Sequence, residues 1–210
     1  KDRLIVYFER STWEIAYTNN EVLPFVWQLI NTELGAESTN SVVPFDKVAL
    51  AVGQVGVHAC NGANVERIDD KIPDEVFKIH NGNQGVHRVA GIRDYNAELV
   101  YWTFPDFENS PTYPNRILCF NYTTGSWAFF DDSVTAFGYY QPEQDTTWVD
   151  LTFTWEEWNS EWDAAQFQSQ NRRIVAGNQQ GWTFILDPDI GRNAQSLQIT
   201  NATNASGLIT

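Results

Sequence analysis

The sequence predicts an all-β protein, part of a β-propeller of repeated four-stranded antiparallel blades with few short helices. Three observations carry that expectation. Short apolar runs alternate with turn residues, two kinds of hairpin recur, and aromatics make up 14% of 210 residues, with nine Trp. Aromatic and β-branched side chains suit a pleated, half-buried surface. Strands of about 5–7 residues at short, even spacing indicate a sandwich, barrel or propeller.

The first hairpin type is seen at residues 4–17 (LIVYFERSTWEIAY) and again at 117–131 (ILCFNYTTGSWAFFD). In each, an apolar run meets a short polar turn and a Trp follows, Trp13 in one and Trp127 in the other. Thr124-Gly125 gives the second copy a good hairpin turn. The second type joins 48–60 (VALAVGQVGVHAC) to 173–185 (RIVAGNQQGWTFI), with a weaker copy at 89–102 (VAGIRDYNAELVYW). Gly53 and Gly56 in one, and Gly177 and Gly181 in the other, are expected to mark tight strand-turn-strand geometry, with at least one of each pair at positive φ.

Two alternating hairpin types favour a propeller, whose blades are repeating four-stranded sheets. Trp13 and Trp127 lie 114 residues apart, the length of two blades of about 50 residues each. Residues 1–210 are therefore expected to form part of one propeller-like domain of about four blades or part-blades. The chain contains no Met and its last ten residues carry no terminal signal, so it reads as a piece of something longer. Residues 71–79 (KIPDEVFKI) are expected to hold a short inter-blade helix, since Pro73 and the acidic pair after it suit a first turn. Residues 105–114 read as loop.

Chemistry is harder to find. Among the histidines His58, His80 and His87, the last two flank a Gly-rich loop at 81–85, but no ligand spacing for a metal appears. That loop lacks the Lys and helix of a phosphate cradle, and no nucleophile elbow occurs. Asp187-Pro188-Asp189 is a turn and not a calcium loop. The pairs Asp69/Asp70, Asp131/Asp132 and Glu156/Glu157 are adjacent, so on a strand their members point to opposite faces and form no catalytic dyad. No catalysis, cofactor or metal is expected. Cys60 and Cys119 sit in apolar runs and read as buried free thiols, with a disulfide between them as the alternative. The sequons at Asn121, Asn201 and Asn204 are no more than chance supplies in a chain with this much Asn, Ser and Thr.

Trp148, Trp155 and Trp162 recur every seven residues. They read as packing residues that staple one connection to a sheet, with an aromatic sugar platform as the alternative. The formal net charge of −14 argues against a phosphate-binding surface, because nucleic-acid affinity rests on Lys and Arg. No apolar run approaches the ~18 residues of a membrane helix.

Residues 45–70, above all 56–62 (GVHACNG), and 65–77 (VERIDDKIPDEVF) resemble the tail nozzle or hub proteins of short-tailed bacteriophages. Residues 115–132 and 176–184 (AGNQQGWTF) are similar to the hairpins of their blades. The resemblance implies a virion structural component: a β-propeller in a ring of identical subunits that contacts neighbouring tail or portal-adaptor proteins. DNA would pass through it during genome ejection without specific binding. Two other classes remain open, a kelch-like carbohydrate-active enzyme and a glycan-binding propeller with the Trp148/Trp155/Trp162 series as its face.

Overall fold

The structure, a computed structural model, describes residues 3–36, 38–76, 78–79, 89–106, 112–140 and 172–186. It is all-β, built from four small antiparallel sheets taken in chain order. The first sheet is β1 (Arg3–Tyr7), β2 (Thr12–Tyr17) and β3 (Phe25–Asn31), with β2 central. The second holds β4 (Val43–Pro44), β5 (Ala49–Gly53), β6 (Gly56–Cys60) and β7 (Val65–Arg67). The third holds β8 (Ala90–Asp94), β9 (Leu99–Phe104), β10 (Arg116–Asn121) and β11 (Ser126–Phe130). The fourth is β12 (Ala136–Tyr140), β13 (Arg173–Gly177) and β14 (Thr183–Leu186). In each, the described strands pair in chain order. Two of the four sheets have the four strands expected of the repeat; the first and last have three described strands each.

Both hairpin types form where the turn residues place them. In the β10–β11 hairpin Gly125 adopts φ 66°, and its N–H donates to the Asn121 carbonyl at 2.8 Å. The Asn121 side chain accepts from the N–H groups of Thr123 and Thr124, an Asx turn that occupies the side chain of that sequon. Gly56 (φ 141°) and Gly181 (φ 88°) have the positive φ expected of one member of each glycine pair. Trp13 and Trp127 are each the second residue of the strand that follows a tight turn, but β2 is central in its sheet and β11 is an edge. The two Trp are thus equivalent within their hairpins and not within their sheets. The expected helix is a single turn, α1 (Pro73–Val76), between the second and third sheets. Among the described residues no helix is long and apolar enough to cross a membrane.

The sheets stack face to face, and the strand period of two explains how. On β9 and β10, Val100, Trp102, Phe104, Leu118 and Phe120 point to one side and join Val43, Leu50, Val52 and Val57 of the second sheet in one core. Tyr101, Ile117 and Cys119 point the other way and join Ile174 and Ala176 of the fourth sheet in a second core. Cys60 and Cys119 are free and buried, as the sequence indicated, and burial pushes the Cys119 thiol up to about 12.

Trp102 anchors the first of these cores. It is fully buried, and its indole N–H donates to the Ser41 carbonyl at 2.9 Å, which satisfies both groups. Ser41 sits in a 3₁₀ turn (Thr39–Ser41), and its hydroxyl donates to the Ser38 carbonyl at 2.7 Å. The indole fits because Gly91, opposite it on β8, has no side chain. A Cβ there would lie 2.5 Å from Trp102 Cδ1 and 2.8 Å from Val43 Cγ2. Gly91→Ala is therefore expected to cost on the order of 2–3 kcal/mol by forcing the indole from its slot. Gly181→Ala, where a Cβ meets nothing within 4 Å, should cost only the ~1 kcal/mol of left-handed backbone. Equilibrium denaturation followed by Trp fluorescence checks the order; equal losses would refute the slot.

Candidate assembly interface

The first sheet differs from the rest in what it leaves uncovered. Its register sets Val6 against Trp13, Trp13 against Leu29, Ile15 against Trp27 and Tyr17 against Phe25, all on one face. Leu4 and Val6 of β1 complete that outer face, so every position on it is apolar. Leu4, Tyr17, Phe25, Trp27 and Leu29 are exposed, Trp27 by 54%. The rings contact one another: Trp13 meets Trp27 edge-on at 6.4 Å, and Tyr17 meets Phe25 at 5.6 Å. A contiguous exposed apolar face of this kind is a candidate contact surface.

The β2–β3 connection extends the patch. The Thr18 N–H donates to the Pro24 carbonyl at 2.9 Å, its hydroxyl donates to the Leu23 carbonyl, and Asn20 Oδ1 accepts from the Val22 N–H at 2.9 Å. Asn19 takes φ 55°, which Asn tolerates better than most residues. This hydrogen-bonded loop holds Leu23 outward and Val22 91% exposed. From Val22 to Ile30 the chain has no charged residue, although the protein as a whole carries −14. At the other end, Asn31 Oδ1 accepts from the N–H groups of Glu33 and Leu34, both at 2.8 Å.

The inner face of the same sheet rests on the second sheet through small residues. Ala51 is fully buried, and a Cβ on Gly53 would lie 2.2 Å from the Gly35 carbonyl oxygen, so the segment that follows β3 closes to backbone contact with the second sheet there. Gly56 is held equally tightly: a Cβ would sit 2.2 Å from Asp69 Oδ2. Asp69 is buried and pairs with Arg67 through two hydrogen bonds at 3.0 and 2.9 Å, which raises the Arg67 pKa. His58 is fully buried at this junction, its ring 6.1 Å from Tyr7, and neither ring nitrogen has a hydrogen-bond partner. Burial lowers its pKa from 6.5 to about 4, opposed more weakly by the Gly56 backbone and the Asp69 carboxylate. The Tyr7 hydroxyl is buried beside the Cys60 thiol; burial, then that thiol, drives its pKa upward.

The four glycines singled out in the sequence mark turns and a sheet contact. Gly53 and Gly56 border the His58 junction, while Gly177 and Gly181 lie at the β13–β14 turn. Trp13 donates its indole N–H to Ser11 Oγ at 3.0 Å, and Trp127 packs on Phe120 at 4.3 Å between ring centres. Trp148, Trp155, Trp162, His80, His87, the Glu156/Glu157 pair, the Asp187–Asp189 turn and the sequons at Asn201 and Asn204 lie outside the described residues. Asp69 and Asp70 lie beyond the end of β7 and on no strand; the first is buried and the second exposed. Asp131 and Asp132 are both exposed, and Asp131 accepts from Arg116 Nε at 3.1 Å. Among the described residues no group of three or more His, Cys, Asp or Glu could hold a metal ion. Sequence reasoning missed β3; the signal was the uncharged stretch that follows Asn19-Asn20-Glu21. No family model matches the chain, and no curated protein matches it in sequence.

The junction makes stability depend on pH. Unfolded, His58 takes up a proton near 6.5; folded, it resists until about 4. Stability present above pH 6.5 is therefore lost as pH falls from 6.5 to about 4, by on the order of 3 kcal/mol in all. Urea denaturation across that range should show the loss in the natural chain and a flatter profile in His58→Leu. Parallel profiles would refute an uncharged buried imidazole.

Proposed function

We propose that this chain is a non-catalytic structural subunit of a bacteriophage tail, part of a nozzle or hub ring through which the genome leaves the virion. The observation that carries the reading is the uncovered apolar face of the first sheet. Leaving Leu4, Tyr17, Phe25, Trp27 and Leu29 in water forgoes their burial energy, roughly 25 cal/mol for each Å² of apolar surface. A neighbouring subunit laid on that face recovers it. Successive meander sheets stacked face to face are the packing that blades of a propeller use, and the resemblance of residues 45–77, 115–132 and 176–184 to tail nozzle and hub proteins favours the same assignment.

The charge suits the role. Each Lys or Arg that holds a phosphate adds salt-dependent affinity and would brake a moving duplex. An acidic wall repels DNA over roughly 8–10 Å at physiological salt and keeps it centred. We assign part of the excess of 27 acidic over 13 basic residues to a channel wall, with the exposed Asp132 a better candidate than Asp131, whose carboxylate is shared with Arg116.

Electron microscopy of the native particle is the test. The reading expects a ring of identical subunits with an acidic channel, whose assembled form does not retain duplex DNA at low salt. A lone monomer, a neutral or basic channel, tight DNA binding or a stoichiometric metal in the purified assembly would each refute it. In the isolated chain, Phe25→Glu with Trp27→Glu should preserve the β-rich circular dichroism spectrum and abolish assembly. Undiminished assembly would remove the apolar face from the interface.

A further inference from the structure

We infer that the first sheet is a detachable unit: mild acid releases it from the second sheet while the second, third and fourth stay stacked. The inference goes beyond the conduit reading and does not rest on it. Its footing is the way the sheets are joined. The second, third and fourth sheets share two apolar cores, and no described residue of β1, β2 or β3 belongs to either. The chain divides at the same place. Up to Ala36 it is tied to the first sheet: the Thr12 hydroxyl donates to the Leu34 carbonyl at 2.7 Å, and the Ala36 N–H to the Phe8 carbonyl at 2.9 Å. From Ser38 onward it is tied to the rest. The Ser38 hydroxyl donates to the Val89 carbonyl at 2.7 Å, and that of Ser41 to the Val52 carbonyl at 3.1 Å.

What meets between the first two sheets is small or polar. By register, Ala51 and Gly53 of β5 share one face with Gly56, His58 and Cys60 of β6. A Cβ on Gly53 would lie 3.2 Å from His58 Cε1 and 2.2 Å from the Gly35 carbonyl oxygen, so the imidazole sits at the line of contact. The groups that face it are few. β1 brings the Tyr7 phenol, its ring 6.1 Å away, and β6 brings the Cys60 thiol. β7 brings Arg67, its register partner, and the turn beyond brings Asp69. β5 and the segment at Gly35 bring no titratable group. Glu14 of β2 lies on the same inner face and pairs with Arg3 at 3.0 Å. Arg67 and Asp69 hold each other through two hydrogen bonds, so Asp69 favours an imidazolium only weakly. Docked, the imidazole is sealed from water and stays neutral; undocked, it regains water and takes up a proton. The docked form holds that proton off until about pH 4, so the open fraction rises from 6.5 downward. The apolar outer face travels with the sheet that leaves.

Two thiols report on the two kinds of junction. Cys60 is buried beside the Tyr7 hydroxyl of the first sheet, whereas Cys119 is buried in the core between the third and fourth sheets. The experiment labels the whole chain with a pyridyl disulfide, which stays reactive in acid, and reads each cysteine by peptide mass spectrometry. Rates are divided by those of the urea-unfolded chain at the same pH, which removes the thiols' own titration. From about pH 7.5 to about 4.5, corrected labelling of Cys60 should rise about 50- to 100-fold, with Cys119 still protected. His58→Gln keeps a polar side chain that takes no proton in this range, and its Cys60 rate should stay flat. Cys119 opening in step with Cys60 would overturn the inference, since the whole chain would then be unfolding. So would a Cys60 rate that does not rise in the natural chain. An equal rise in His58→Gln would overturn it too, by moving the sensing to Asp69 or Glu14. The contrast between the two thiols of the natural chain decides the matter even where that variant does not fold.

Discussion

Two cores share one pair of strands, and the stack depends on that sharing. β9 and β10 send Val100, Trp102, Phe104, Leu118 and Phe120 into the core against the second sheet, and Tyr101, Ile117 and Cys119 into the core against the fourth. A sheet apolar on both faces must be covered on both, which fixes the third sheet between its neighbours. Trp102 locks the arrangement most tightly. It needs the empty space above Gly91, the carbonyl of Ser41 and the wall of Val43 together, and these come from three separate elements.

The junction between the first and second sheets uses a different device. Gly53 has no side chain, so the backbone at Gly35 can rest on the second sheet there. Closeness is bought by burying polar groups: His58 is fully enclosed, and the Tyr7 hydroxyl meets only the Cys60 thiol. Each such group costs on the order of 1–3 kcal/mol, so this contact is held by packing against a polar penalty. Protonation of His58 as pH falls below 6.5 weakens this contact.

Function is read from the opposite face of that same sheet. One side is turned toward the stack and the other is an exposed apolar surface. In the proposed structural subunit that face lies against a neighbour. The stretch from Val22 to Ile30 that borders this face carries no charge, so the acidity of the chain does not oppose a contact there.

The all-β class, the hairpins at 117–131, 48–60 and 173–185, the short helix at Pro73 and the free buried thiols were legible in the sequence. Each depends on neighbours a few residues away: a period of two, a glycine at a turn, a proline in a first turn. The equivalence expected between Trp13 and Trp127 held only within the hairpin, because whether a strand is central or at an edge depends on what pairs with its far side. For the same reason β3 passed unnoticed, since an apolar run looks alike whether it is buried or bare. His58 could be located on a strand, but its dryness comes from Tyr7 and the backbone of a separate sheet. Sequence alone determined the local geometry, through periodicity and turn chemistry that act over a few residues. Only the tertiary structure decided which apolar faces were left without a partner, because burial is a property of what packs on a residue from elsewhere in the chain.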